Sequence, residues 1–271
     1  LLETSESIFD VGFSKLSAEP FTRLSNMVKQ VPSLLKLQSY YTVAGLVGTH
    51  IKHPLIRRAF SIHPLLVGGN PFSTTSIYAL IHYLERRWGV HFTMGGTGKL
   101  VAELRALLER SGVEILLNHD VTELRIKDDK VVEALTANGK SIKMDKVICN
   151  ADPPTVYNEM IKDSRFQKKI SRKIYSSKYS MGLFVLFFGT KKKYNQVAHH
   201  TIWMGPRFKT LLRDIFNRKV LSEDFSLYIH RPTATDDSFA PAGCDSFYVL
   251  CPVPNLLGNI DWKIEGPALK K

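Results

Sequence analysis

The span from residue 93 to residue 152 constrains the fold most, because its hydrophobic pattern changes from helical to strand-like within a short distance. A glycine turn, Gly95-Gly96-Thr97-Gly98, leads into an amphipathic helix that should end at Ser111-Gly112. A strand over residues 113–117 is expected next, so the span predicts a βαβ-type layer. One face of the helix carries Leu100, Leu104, Leu107 and Leu108.

Three short strands are predicted after this helix, over residues 121–126, 130–137 and 141–144. Asn138-Gly139 between the second and third is a strong signal for a tight hairpin turn. The apolar triplet Val147-Ile148-Cys149 predicts one more buried strand, after which the chain should leave this domain.

The sequence on either side of this span has a different character. Residues 1–92 predict mostly helices, whereas residues 153–271 predict a helix followed by long strands over residues 180–188, 225–230 and 247–253. Apolar residues alternate with polar ones in the second of these strands, which predicts a sheet with one apolar face. The fold class is therefore α/β with α+β character.

Composition excludes some classes and leaves others open. A hydrophobic content of 44% in 271 residues can form a sizeable core, which excludes a disordered or fibrous chain. The net charge of +12 suits anionic membrane lipid, nucleic acid or an acidic ligand. The longest apolar run, residues 181–189, is too short for a membrane-spanning helix, so we expect any membrane contact to be peripheral.

No cluster of catalytic or metal-ligating residues stands out in the sequence. His199 and His200 are adjacent, and neighbours in a regular strand or helix point apart, so we predict no metal site. The segment Gly95 to Lys99 lacks the spacing of a phosphate-binding loop. The three cysteines form no CxxC pair and are expected to be small buried residues in a reducing compartment. Catalytic residues remain unknown at this level.

Four segments resemble one family closely. They are FSIHPLLVGGNPFSTTSIYALIHYLERRWGVHFTMGGTGKLV (residues 60–101), AHHTIWMGPRFKTLLRDIFN (198–217), EDFSLYIHRPTATDDSFAPAGCDSFYVLCPVPNL (223–256) and DWKIEGP (261–267). The chain thus resembles the bacterial and fungal phytoene desaturases, which are FAD-dependent members of an amine-oxidase-like superfamily.

The resemblance implies part of a discontinuous Rossmann-type FAD-binding domain plus an inserted substrate domain with a mixed or antiparallel sheet and helices. Residues 93–152 would belong to the FAD-binding domain, and residues 1–92 and 153–271 to the substrate domain. The family's opening GxGxxG fingerprint and its closing glycine-rich segment do not occur here, and no initiator methionine begins the sequence. We therefore expect an internal fragment that is inactive by itself.

The resemblance also implies roles for particular residues. Val121 matches a strand position whose backbone contacts the adenine end of FAD, the alternative being an ordinary strand valine. Gly95 and Gly96 match paired glycines near the flavin, the alternative being that they only shape the turn.

The implied reaction is desaturation of phytoene or a related carotenoid polyene, in which the flavin rather than a side chain accepts electrons. A hydrocarbon substrate then needs a long apolar tunnel. Plain core packing is the alternative role of the tunnel candidates, which are Phe60, Phe72, Phe184, Phe187, Phe247 and Tyr248.

Two other functions remain open. A carotenoid isomerase or saturase would share the scaffold, and a non-catalytic basic module could bind membranes or nucleic acid. The aromatic residues fall within apolar strands, which disfavours nucleic acid. We expect a cytoplasmic protein that associates peripherally with membrane lipid and takes a long-chain carotenoid as substrate.

Overall fold

The computed structural model describes residues 1–17 and 24–271, with the backbone alone for residues 24–27 and no side-chain placement for Lys169. The chain forms two compact units. The large unit comprises Leu1–Lys99 and Ser180–Lys271, and the small unit comprises Leu100–Tyr179. The assignment of residues 1–92, 93–152 and 153–271 to functional domains stays a prediction.

The helices confirm the helical character expected before residue 92 and the amphipathic helix after the glycine turn. They are α1 (Leu2–Phe9), α2 (Leu24–Lys36), α3 (Val43–His50), α4 (Pro54–Ala59), α5 (Leu80–Trp88), α6 (Gly96–Arg110), α7 (Pro153–Thr155), α8 (Ser164–Tyr175), α9 (Phe208–Arg213) and α10 (Trp262–Lys270). Thr42 caps α3 by accepting a hydrogen bond from the Gly45 amide. Gly112, just beyond α6, takes a left-handed φ of 78°, the helix exit that the sequence predicts.

The large unit contains a four-stranded antiparallel sheet. Its strands are β4 (Gly182–Thr190), β5 (His200–Trp203), β6 (Leu227–His230) and β7 (Asp245–Val253), in the spatial order β4-β7-β6-β5. Three of these strands confirm the sequence prediction. The fourth, β5, was not predicted, because its sequence, His-Thr-Ile-Trp, does not alternate between apolar and polar residues.

The small unit contains the predicted meander of β1 (Val121–Lys127), β2 (Lys130–Thr136) and β3 (Ser141–Lys143). Asp128 and Asp129 both have positive φ in the turn between β1 and β2, as a type I′ hairpin turn requires. Leu124 and Ala134 from the meander pack with Val156 and Ile161 from the helical segment that follows.

Two predicted strands do not form, and the expected βαβ layer is absent from the described residues. Residues 113–117 and 147–149 adopt no strand, and Ile148 is 100% exposed. The prediction that Cys149 is buried is also wrong, because its side chain is exposed. A strand needs a hydrogen-bonded neighbour, and among the described residues no strand pairs with either segment.

Asp245, at the start of β7, is the centre of a buried polar network. Its carboxylate accepts hydrogen bonds from the Tyr194 amide (2.6 Å) and the Thr233 hydroxyl (2.6 Å), and it pairs with Arg231 (3.1 Å). The side chains of Asp245 and Arg231 are 0% and 8% exposed. Burial opposes ionisation, but the donors of Thr233, Tyr194 and Arg231 outweigh it and lower the pKa of Asp245.

We expect Asp245→Asn to destabilise the fold by about 3–5 kcal/mol, because Arg231 would be left as a buried, unpaired charge. Urea denaturation measures the loss. Since the pKa of Asp245 is lowered on folding, its contribution is present above the unfolded value and decreases as pH falls through the folded value. In Asp245→Asn, the free energy of unfolding should therefore decrease less than in the wild type as the pH is lowered.

The matched control is Asp237→Asn, because Asp237 pairs with Lys193 on the surface and its side chain is 81% exposed. Solvent screens this pair, so the control should unfold at nearly the wild-type urea concentration. Equal losses in the two variants would contradict a special role for the buried network.

Candidate functional site

The register of the four-stranded sheet separates its side chains into two faces. Direct partners in an antiparallel ladder place their side chains on the same face, and neighbours along a strand alternate. His200 pairs with His230, and His230 pairs with Tyr248. The face that these residues share, here called the cavity face, carries Leu183, Val185, Phe187, His200, Ile202, Tyr228, His230, Tyr248, Leu250 and Pro252.

An apolar cavity of about 270 Å³ lies against the cavity face. A second cavity of about 470 Å³ shares four wall residues with it, namely Ile62, Leu66, Ile202 and Tyr228, so the two lie side by side. The walls of the first also include Leu65, Met181, Met204, Phe208, Tyr248 and Leu250. The two cavities together form an extended, mostly apolar groove within the large unit.

The structure does not bring the six tunnel candidates together. Tyr248 lines the first cavity and Phe60 the second. Phe187 is on the cavity face but is 74% exposed. The remaining three lie elsewhere.

Phe184 and Phe247 are on the opposite face of the sheet. Phe184 lies near Trp262 of α10, with ring centroids 6.5 Å apart, and Phe247 stacks on Phe188. Phe72 packs near Phe208, with centroids 6.2 Å apart, and lines two other surface cavities. For these three residues the geometry favours packing, the alternative that the sequence leaves open.

One end of the second cavity is polar. His63 Nε2 lies 3.1 Å from a Glu85 carboxylate oxygen, and the His63 and His82 rings meet edge to face at 4.3 Å. Nδ1 of His63 and Nε2 of His82 are buried without a hydrogen-bond partner. Burial, and secondarily the proximity of His63, lowers the pKa of His82 to about 4. His82 is therefore neutral at neutral pH.

Three histidines meet at another edge of the groove. One ring nitrogen each of His199, His200 and His230 lies within 4.8 Å of the others. The prediction that the side chains of His199 and His200 point apart is wrong, because their rings stack with centroids 4.5 Å apart. The reason is that β5 begins at His200, so His199 lies outside the regular strand and its alternation.

Burial shifts the titration of groups in this cluster. It lowers the pKa of His230 to about 4, with His199 and His200 as further causes. It also lowers the pKa of His199 and raises that of the Tyr228 hydroxyl. This cluster was not predicted from the sequence. His200 and His230 each stand at the end of an apolar stretch, and that shared position could have indicated that they meet at one edge of a sheet.

Gly95 and Gly96 form a tight turn before α6. Both have left-handed φ values, 80° and 78°. The Gly95 amide donates a hydrogen bond to the Asp236 carboxylate (2.7 Å), and a Cβ on Gly96 would meet the Phe239 ring at 2.7 Å. The left-handed backbone favours glycine at both positions, and the Phe239 ring additionally leaves no room for a side chain at Gly96. Contact with a flavin stays a prediction.

Val121 begins β1, which pairs with β2 and, among the described residues, with no other strand. Its side chain is partly buried and packs against the core of the small unit. An edge strand presents unpaired backbone groups on its outer side. The position therefore fits the backbone role that the sequence suggests for Val121.

A family model for flavin-containing amine oxidoreductases matches residues 13–225. The chain belongs to this family, and FAD is the cofactor that this membership indicates. A crystal structure of a protein from Pyrococcus furiosus superposes with a TM-score of 0.57 at 15% identity, covering 85% of this chain and 54% of that one. That likeness shows a shared fold alone.

Curated relatives are similar along nearly the whole chain. The lycopene-forming phytoene desaturase of Pantoea ananas is 43% identical over 99% of this chain and 55% of its own length. The lycopene-forming enzyme of a Paracoccus species is 45% identical over 97% of this chain and 53% of its own length. The neurosporene-forming enzyme of Rhodobacter capsulatus is 36% identical over 97% of this chain and 51% of its own length. The chain thus spans about half the length of these relatives.

We expect folding stability to decrease as pH falls from the ordinary histidine value of 6.5 towards 4, in part because of His82. In that window the unfolded chain binds a proton that folded His82 does not, so unfolding becomes more favourable by about 1.4 kcal/mol per pH unit. In His82→Phe, the free energy of unfolding should depend less steeply on pH, because the contribution of this proton is lost. Urea denaturation at pH 7.5 and pH 5 measures it.

His53 provides the control, because it is exposed in the same unit. The slope should be unchanged in His53→Gln. A wild-type slope in His82→Phe would contradict the assignment of the proton to His82.

Proposed function

We propose that the protein containing this chain desaturates a long hydrocarbon polyene of the phytoene type and uses FAD as electron acceptor. The observation that carries the proposal is the apolar groove on the cavity face, in a chain 43–45% identical to lycopene-forming phytoene desaturases. A hydrocarbon offers no hydrogen-bonding groups, so its binding depends on apolar surface and shape.

The residues of this chain would bind and orient the substrate. Ile62, Leu66 and Ile202 are shared by both cavities, which suits a ligand that extends from one into the other. Tyr228, Tyr248 and Phe208 form the aromatic part of the wall of the first cavity. Such walls exclude water and hold a chain so that its reacting carbons have one position. FAD, when bound, supplies the hydride acceptor that no side chain can provide.

Exposed apolar surface between residues 100 and 152 supports the assignment of residues 93–152 to a dinucleotide-binding domain. Leu104 and Leu107 of α6 are exposed, as are Leu117 and the fully exposed Ile148. Residues 113–117 and 147–149 have strand-like composition but no partner strand among the described residues. Additional parallel strands would pair with these segments and cover the leucines, as in a Rossmann-type layer. Val121 would then hold the adenine end of FAD through its backbone.

An isomerase or saturase of the same scaffold is the alternative function, because such enzymes would need the same apolar groove. Chromatographic analysis of the products formed from phytoene separates these activities. A non-catalytic basic module receives less support, since the aromatic residues Tyr228 and Tyr248 line a cavity rather than an exposed basic surface.

Replacing Ile202 with Glu should reduce phytoene conversion by at least about tenfold, because a carboxylate in an apolar wall must be desolvated when a hydrocarbon binds. The measurement is product formation by the full-length protein in phytoene-producing cells, with the FAD spectrum checked after purification. Thr201→Glu is the matched control, because Thr201 is adjacent in β5 but faces the other way. Equal activity of the two variants would contradict a substrate-binding groove on this face.

We further propose that the protein is cytoplasmic and associates peripherally with anionic lipid. None of the described helices is both long and apolar enough to cross a bilayer. The segment 54–67 exposes Leu55, Ile56 and Leu66 next to Arg57 and Arg58. Leu66 also lines both cavities, which supports entry of a lipid-dissolved substrate from this surface. Exposed apolar side chains beside basic ones are typical of interfacial membrane contact.

The double variant Leu55→Glu, Ile56→Glu should bind anionic vesicles at least about tenfold more weakly than the wild type, because it adds two charges and removes apolar surface at the proposed contact. Vesicle flotation with phosphatidylserine-containing liposomes measures this. Leu256→Glu, at a residue that is 84% exposed elsewhere in the same unit, should float like the wild type. Failure of the wild type to float would count against the membrane proposal alone.

A further inference from the structure

We propose that His199, His200 and His230 form a binding site for one divalent transition-metal ion, with Zn²⁺ as the representative ion. The site adjoins the proposed substrate groove, whose wall includes His200 and Tyr228, but the desaturation proposed above does not require the ion.

The fold places these rings together from two strands and a loop. His200 and His230 are direct partners at one end of the β5–β6 ladder, which puts both side chains on the cavity face. His199 immediately precedes β5, and its carbonyl accepts a hydrogen bond from the Arg231 amide (2.9 Å). The ring centroids are 4.6 Å apart for His199 and His230 and 5.2 Å apart for His200 and His230.

The separations are close to those of a metal site. Tetrahedral Zn²⁺ binds imidazole nitrogen at about 2.0–2.1 Å, which corresponds to nitrogens about 3.4 Å apart. One nitrogen of each histidine already lies within 4.8 Å of the other two. Small rotations about the side-chain torsions can close the remaining difference, and His200 is exposed, so an ion can reach the site.

Each ring is also anchored through its Nδ1 atom. His199 Nδ1 lies 2.5 Å from the Thr235 hydroxyl, and the Tyr228 hydroxyl lies 2.6 Å from His200 Nδ1 and 3.2 Å from His230 Nδ1. Because these hydroxyls contact Nδ1, the nitrogen left available to an ion is Nε2. Nε2 of His199 is in fact buried without a hydrogen-bond partner. A polar group holding the second nitrogen is the usual arrangement around metal-bound histidine.

The chemistry of the donors selects the class of ion. Neutral imidazole favours Zn²⁺, Cu²⁺ and Ni²⁺ over the oxygen-preferring Mg²⁺ and Ca²⁺. The Tyr228 hydroxyl lies within hydrogen-bonding distance of Nδ1 of both His200 and His230, so it orients two of the imidazoles. The fourth tetrahedral position is then left to solvent. Because β5 is a short edge strand, the bound ion would fasten it to β6.

The test uses the untagged full-length protein, stripped with a chelator and dialysed. Titration with ZnCl₂ by isothermal calorimetry should give one ion per chain, and elemental analysis after dialysis against limiting Zn²⁺ should confirm that stoichiometry. His200→Phe and His230→Phe should each abolish binding of that ion. His53→Phe, at an exposed histidine in the same unit, should bind like the wild type.

A second variant tests the orienting role of the hydroxyl. Tyr228→Phe retains all three imidazoles and should weaken Zn²⁺ binding about tenfold to a hundredfold, as loss of an outer hydrogen bond does at metal sites. Circular dichroism establishes that each variant is folded. Since His200 is exposed, His200→Phe remains informative if His230→Phe does not fold. Less than one ion bound by the wild type, or full binding by His200→Phe, would overturn the proposal.

Discussion

The antiparallel register of β4, β7, β6 and β5 is the constraint on which the candidate sites depend. It assigns every side chain of the sheet to one of two faces, and a shift by one residue would exchange them. Tyr228, Tyr248 and Leu250 thereby meet on the wall of the groove, while Phe184 and Phe247 support the opposite face. The buried network at Asp245 holds the start of β7 against Tyr194 and the segment after β6, and so helps to fix that register.

Local patterns in the sequence were sufficient for much of the fold. The meander follows from three alternating segments separated by Asp128-Asp129 and Asn138-Gly139, whose turn geometry is encoded in adjacent residues. The leucine periodicity of α6 and its exit at Gly112 are equally local. Residues 113–117 and 147–149 could not be predicted in this way, because a strand exists only where another strand pairs with it.

The candidate site was less accessible from sequence, for reasons that differ among its residues. Alternation along β4 is enough to place Phe184 and Phe187 on opposite faces of the sheet. It does not indicate which of the two faces adjoins a cavity. Phe60 and Ile62 lie in the short connection after α4, and the approach of this connection to the sheet is a tertiary property. His199 and His200 were assigned opposite directions under a rule for regular strands, whereas the strand begins between them.

The leucine-bearing side of α6, together with Ile148, has a consequence for handling the chain in solution. Apolar patches of this kind on an isolated polypeptide promote self-association and retention by chaperones. A preparation limited to these 271 residues would then be prone to form aggregates even while its antiparallel sheets are intact.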